Sequence, residues 1–508
     1  MSRSATLPAT YRPMTMASGI RTSMARGPGR VALVCGARHL TYGQLVERID
    51  KVAAIAIGLG LTRGDRAVIV AANCLEYIEI VDGLAEAGIA VATPNPRLTA
   101  AELRYILEDC TPRVAFATPQ TEDMVRTAGA GILERVIVIG PAYDDLLAEA
   151  RPGALPLIEE WDAFSIPYTS GTTGKPRGVV LPHRARVQVG FCMASEFGCY
   201  GPDDRFLAIT PMFHGAGYSF AHASVFFGGI CHIHTGFEPE TTLRALSETA
   251  ATGTFMVPTM FHGMFALEAN ILERWRTIPL RALLSNAAPL PQRTKERIVD
   301  YFGEGKLHEM YGSTEGGIVT NLRPADQLRK QQCVGHPFTM NEIRLLDDDG
   351  APVQPGEIGE LFNRSPCLFL GYWNNPTATE AAMREGWFSA GDLARQDEDG
   401  CVYIVDRKKD MYISGGVNVY PREVEELLFR LPGVADAAVI GVPDSYWGEA
   451  GKAFLVMQPG AAISPEAVIA ACKESLAGYK VPRHVAFTDV LPRNAAGKVL
   501  KTDLRGLA

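Results

Sequence analysis

The feature that most constrains the fold is an alternation of short apolar runs with amphipathic stretches through the first half of the chain. Residues 40–61 open with Thr41-Tyr42-Gly43-Gln44-Leu45 and then place Leu45, Val46, Ile49, Val52, Ala53 and Ile57 at helical spacing, which predicts an amphipathic helix capped by Thr41. Residues 65–72 read as a strand, 75–87 as a helix, and 89–92 as a second strand stopped by Pro94-Asn95-Pro96. Strand, helix, strand at this separation is the parallel crossover unit. It recurs at 113–117, 135–139, 205–209 and 254–257, with a helical stretch at 184–196. From Gly335 the texture changes: 342–346, 359–362 and 401–405 are short alternating runs between Asp/Gly turns, as in a small antiparallel barrel or sheet. After Lys409 come a helix at 422–431, strands at 437–440 and 453–457, and a helix at 465–476. The predicted class is α/β: a large multi-subdomain N-terminal domain (1–409) with parallel sheets and a small β-barrel, then a smaller α+β C-terminal domain (410–508).

Length agrees, because 508 residues is about three times a usual domain of roughly 150. Composition narrows the partners: 49 Lys and Arg against 57 Asp and Glu leave a net charge of −8, which argues against general affinity for a nucleic-acid backbone. The cysteines at 35, 74, 110, 192, 199, 231, 333, 367, 401 and 472 never form a C-x-x-C pair, so they read as buried thiols in a reducing compartment. No apolar stretch is long enough for a transmembrane segment, and the expected location is cytoplasmic. Arg3, Arg12, Arg21, Arg26 and Arg30 precede any acidic residue, but without an apolar core for secretion they read as a frayed start and a short helix.

The segment richest in chemistry is Tyr168-Thr-Ser-Gly-Thr-Thr-Gly-Lys-Pro-Arg-Gly-Val179. Gly171, Gly174 and Gly178 allow backbone N–H groups to converge on an anion; the hydroxyls of Thr169, Ser170, Thr172 and Thr173 donate further bonds, and Lys175 supplies charge. The loop is not of the Walker A type, since Pro176 stands where Ser or Thr would follow the lysine.

With this string the chain resembles the AMP-forming acyl-CoA synthetases of the adenylate-forming superfamily. The resemblance extends through NPRLTAAEL (95–103), PMFHG (211–215), YGSTE (311–315), GEIGEL (356–361), AGDL (390–393), DRKKDMYISGGVNVYPREVE (406–425), GVPDSYWGE (441–449) and PRNAAGKVLK (492–501), in order. It implies two steps. A carboxylate attacks the α-phosphate of ATP and releases pyrophosphate; the acyl-adenylate is then attacked by a thiol, that of coenzyme A. Lys498 matches the lysine that bridges the carboxylate and the α-phosphate, Glu315 the carboxylate that holds Mg2+, and Thr314 an α-phosphate contact. Tyr311 and the Ala287-Ala288 backbone match the two sides of the adenine slot, Asp392 the ribose acceptor, and Arg407 its helper. Lys409 matches the hinge about which a mobile C-terminal domain swings, and Gly415-Gly416 the backbone along which the thiol arm passes. Two departures stand out: Ser389-Ala390 replace the Arg-Thr pair of many relatives, and Arg177 replaces a commoner lysine.

The resemblance places the acyl pocket at Phe213, His214, Gly215, Tyr218, residues 257–260 including Met260, Asn286 and Gly312. The set is apolar and aromatic, so the expected acid is a medium- or long-chain fatty, aromatic or alicyclic one. No Arg or Lys falls among these residues, which argues against a dicarboxylate or amino acid. His214 has three readings: gating the pocket, orienting the carboxylate, or packing. His232 and His234 lack a third ligand and read as structural. The expected partners are a small carboxylic acid and CoA, with monomer and homodimer both open. The alternative is an adenylate former that passes the acyl group to a carrier protein or another acceptor; with ten residues after Lys498, no carrier domain is expected there.

Overall fold

The structure, a computed structural model, describes residues 11–170, 176–493 and 499–506. Thr41 caps the helix Tyr42–Gly58 reciprocally: its hydroxyl accepts from Gln44 N while the Gln44 side chain accepts from Thr41 N. The predicted parallel layer follows. Ala163–Ile166, Ala90–Ala92, Arg66–Val70, Val114–Ala117 and Arg135–Val138 lie side by side and parallel. Pro176–Pro182 and Gly371–Tyr372 extend this sheet antiparallel beyond Ala163–Ile166. A second sheet runs parallel through Val31–Cys35, Ile230–Ile233, Arg205–Ala208, Gly253–Met256, Ala282–Ser285 and Leu307–Ser313. Its outer strands, Arg38–Thr41 on one side and Gly317–Leu322 on the other, are antiparallel.

All eleven residues of the helix Glu76–Glu86 are buried, although Glu76, Glu79, Asp82 and Glu86 fall on one face at helical spacing. Burying four carboxylates is costly unless each is paired, and each is. Arg38 meets Glu76 at 2.5 Å, Arg48 meets Glu79 at 2.6 Å, and Arg21 meets Glu86 at 3.1 Å. Asp82 accepts from the Tyr218 hydroxyl at 2.7 Å and faces His222 Nε2 at 2.9 Å.

The β-rich third unit has six antiparallel strands, with Gly359–Arg364 between Glu342–Leu346, Trp387–Phe388 and Asp392–Gln396, and Val402–Arg407 beyond. A turn at 408–410 leads to Tyr412–Ser414. The last unit is built on a hairpin of Val434–Asp444 and Gly448–Met457, longer than the sequence reading expected. Gly441 and Gly451 interrupt the apolar pattern there because the Tyr412 side chain lies on the hairpin at both positions: a Cβ on either would stand 2.4 Å from it. Helices Pro421–Leu428 and Pro465–Ser475 cover the core around Tyr412, Val424, Leu455 and Val468.

The short helix expected near the start is Ser18–Arg26. All ten cysteines are free; eight are buried, while Cys35 and Cys74 are only partly so. Among the described residues no helix is long and apolar enough to cross a membrane, and no His/Cys/Asp/Glu cluster could hold a metal. Burial lowers the pKa of both His232 and His234.

Candidate functional site

Two antiparallel strands, Leu307–Ser313 and Gly317–Leu322, meet at a tight turn carrying Thr314 and Glu315. The ladder is bulged between Tyr311 and Gly312, and a Cβ on Gly312 would stand 2.1 Å from the Gly317 carbonyl oxygen. Gly317 itself has φ +71°, so the turn needs both glycines. Gly316 N donates to the Ser313 hydroxyl at 2.9 Å and closes it. The Tyr372 hydroxyl donates to Glu315 Oε1 at 2.9 Å; burial and the Glu315 charge raise its pKa, so it remains a donor. The Arg177 guanidinium lies 5.6 Å over the Tyr372 ring.

Asp392, 5% exposed, begins the strand Asp392–Gln396. Its Oδ2 accepts from the Tyr311 hydroxyl at 2.6 Å and its Oδ1 faces Arg407 Nε at 3.1 Å. Tyr311, Asp392 and Arg407, predicted from three separate motifs, are thereby in one contact. Burial and the Asp392 charge raise the Tyr311 pKa well above its ordinary value. Ser389, one of the two departures, ties the approach to Asp392: its hydroxyl donates to Glu360 at 2.7 Å and accepts from Gly391 N at 3.0 Å. Ala287 has φ +78°, a left-handed backbone that a non-glycine residue rarely holds, and its N–H donates to Asn286 Oδ1 at 2.6 Å. Ala288 is half-buried beside it.

The 211–215 segment leads into the helix Gly215–Phe226, with His214 at its N-cap and the Phe213 and His214 rings 4.8 Å apart. Two residues that sequence reading missed hold it. Asn73, 4% exposed, accepts from Met212 N at 2.7 Å and donates to the Thr210 and His234 carbonyls at 3.1 and 3.0 Å. The Thr93 hydroxyl donates to the Phe213 carbonyl at 3.0 Å. Replacing Asn73 with Ala leaves a buried N–H and two carbonyls without this partner, each costing about 1–3 kcal/mol. The expected result is a clear drop in urea midpoint, with the acid KM rising more than the ATP KM.

Gly215 and Tyr218 of the predicted pocket wall line a cleft together with Met212 and with Arg186, which the predicted set omitted. The signal for Arg186 was present: it shares a helical face with Val189 and Met193, both buried. Arg186 reaches this cleft from the helix His183–Phe197. Met260 is buried on the helix Pro258–Phe265, and Asn286 and Gly312 are half-buried at the ends of their strands.

The phosphate-type loop is flanked by paired arms, with Thr169 opposite Arg177 and Ser170 opposite Pro176. Gly171, Thr172, Thr173, Gly174 and Lys175 lie outside the described residues, as does Lys498. Arg493 pairs with Val499 in a β-bridge and forms an ion pair with Asp436. Lys409 is exposed in the turn after Val402–Arg407, where Asp410 N donates to the Arg407 carbonyl at 2.9 Å. Gly415 and Gly416 form an exposed hairpin tip with φ +59° and +79°, and a Cβ on Gly415 would stand 2.6 Å from the Trp447 ring.

Residues 20–373 match the AMP-binding enzyme family and residues 423–498 the AMP-binding enzyme C-terminal domain. A feruloyl-CoA synthase of an Amycolatopsis species is 37% identical over 493 residues, covering 94% of this chain and 96% of that protein. A 2-succinylbenzoate–CoA ligase of Geobacillus kaustophilus is 34% identical, covering 97% of this chain and 98% of that protein. Among solved structures, ATP-bound MatB from Rhodopseudomonas palustris superposes with a TM-score of 0.90 at 30% identity, covering 97% of this chain and 99% of that one.

Proposed function

Since this chain belongs to the AMP-binding enzymes, as an AMP-forming acyl-CoA synthetase, we propose that it activates an aromatic, alicyclic or medium- to long-chain fatty acid on ATP and transfers the acyl group to coenzyme A. The observation that carries the reading is the Asp392 carboxylate fixed between Tyr311 and Arg407 on a strand close to the Thr314–Glu315 turn. A carboxylate held this way is oriented to accept two ribose hydroxyls. Tyr311 and the left-handed Ala287 backbone bound the adenine slot.

In the first step an acid oxygen bonds to the α-phosphorus while the bond to pyrophosphate breaks. Negative charge grows between two anions, so positioned donors count most. Thr314 and Lys498 take this role, with Lys175 and the hydroxyls of the 169–173 segment on the outer phosphates. Glu315 offers Mg2+ the hard carboxylate oxygen it prefers, and the ion, when bound, neutralises phosphate charge. In the second step the thiol sulfur bonds to the acyl carbon, AMP leaves, and the thiol proton passes to solvent. The exposed turn at Lys409, taken as the boundary between domains 1–409 and 410–508, and the exposed Gly415-Gly416 tip support a swing that brings the thiol arm in. Buried Phe213, Tyr218 and Met260 favour an apolar acid.

A mass-spectrometric screen of fatty, aromatic and alicyclic acids with ATP and Mg2+, with and without CoA, tests the reading. Acyl-AMP without CoA and acyl-CoA with it are expected; acyl-AMP in both arms would exclude CoA as the acceptor. Tyr311→Phe removes a hydrogen bond to a charged group, a loss of about 1.5–3 kcal/mol. The ATP KM is expected to rise at least about tenfold in pyrophosphate-release assays, with the acid KM little changed.

A further inference from the structure

Arg186 is a buried cation with no contact ion pair among the described residues. It is 8% exposed, and one guanidinium N–H donates to the Thr314 carbonyl at 2.7 Å. Its Nε has no hydrogen-bond partner among the described residues, and none of their ion pairs includes it. Burial lowers its pKa to about 10, which leaves it charged at neutral pH. The nearby Glu315 carboxylate, which also accepts from the Tyr372 hydroxyl, acts on it without forming a contact ion pair. A buried guanidinium with an unsatisfied Nε and no contact ion pair is costly, so a residue of this kind is suited to an anion that arrives with a ligand.

The surroundings specify where that anion sits. Arg186 faces a narrow cleft walled by Val81, Phe164, Leu181 and Met212, with a cavity volume of about 20 Å³. Apolar walls strengthen charge pairing. Ser165 and Ser219 supply hydroxyls along the cleft, and the N-terminal end of the twelve-residue helix Gly215–Phe226 opens onto it through Gly215. A Cβ on Gly215 would lie 3.8 Å from Thr314 Cγ2, so the cleft begins at the reaction turn.

We propose that this cleft is a carboxylate subsite for the acid, in which Arg186, steadied by the Thr314 carbonyl, directs its remaining donors at a carboxylate of the substrate. The inference rests on the acid:CoA ligase reading and extends the acid class, since the carboxylate is either the reacting one or a second one a few bonds away. Binding the first helps to place the nucleophilic oxygen beside Thr314; binding the second makes the enzyme selective for diacids.

The test uses the full-length wild type, Arg186→Met and Arg186→Lys, with KM measured separately for ATP and for two matched pairs: octanoate with octanedioate, and 3-phenylpropanoate with 3-(2-carboxyphenyl)propanoate. Loss of a charged hydrogen bond predicts an acid KM higher by about 10- to 100-fold in Arg186→Met, with the ATP KM changing by less than about threefold. Arg186→Lys retains the charge and is expected to lose less. An equal rise for both members of a pair assigns the subsite to the reacting carboxylate; a rise confined to the diacid assigns it to a second one. The proposal is overturned if both variants keep the wild-type acid KM, or if the ATP KM rises in parallel, which would make Arg186 a brace for Thr314. Absence of pyrophosphate release by the wild type with every acid of the wider screen would overturn the ligase reading itself.

Discussion

Lys498→Ala lowers acid-dependent pyrophosphate release by about 10²–10³, the usual effect of removing one positioned donor from a site of charge development. Thioester formation from supplied acyl-adenylate stays largely intact, because that step no longer joins two anions at phosphorus. Among the described residues on either side of the lysine, Arg493 bridges Val499, and Leu500 N donates to the Pro492 carbonyl at 2.8 Å. Separate assays of the two half-reactions decide the matter, and equal loss of both would refute the assignment.

Lys295→Met destabilises the protein by about 3–5 kcal/mol, the cost of stranding one member of a buried ion pair. Lys295 on the helix Gln292–Phe302 pairs with Glu309 on the strand Leu307–Ser313, and both are almost fully buried. Glu309 also accepts from Leu290 N, so the pair joins the segment after Ala287-Ala288 to the strand that carries Tyr311. The double variant Lys295→Met/Glu309→Leu recovers part of the loss. It removes the stranded charge but leaves Leu290 N without its acceptor, at about 1–3 kcal/mol. Urea unfolding of the wild type and the two variants measures both steps; a single variant as stable as wild type would contradict the account.

Local signals carried the reading furthest. Thr41 and Gln44 announce their helix because both halves of the cap lie within one turn, and the apolar runs of the parallel strands need no knowledge of their neighbours. Pro176–Pro182 was hidden for the opposite reason. It begins and ends in proline, contains Gly178, and becomes a strand only through partners such as Gly371–Tyr372, far along the chain. Arg184 and Arg186 look alike in sequence, yet Arg184 pairs with Glu160 at 2.8 Å beside exposed Trp161 while Arg186 turns inward. Helical phase separates them. Asn73 gave no such sign, since its three backbone contacts lie on segments 137 or more residues away.

The buried acidic helix Glu76–Glu86 has a consequence for synthesis. Arg21, Arg38 and Arg48 precede it in the chain, so three of its carboxylates can be matched as soon as it emerges from the ribosome. Asp82 waits for Tyr218 and His222. Until that later segment is made, the face that carries Asp82 lies uncovered beside apolar residues such as Ile78 and Val81, which invites holding by chaperones and delays final packing.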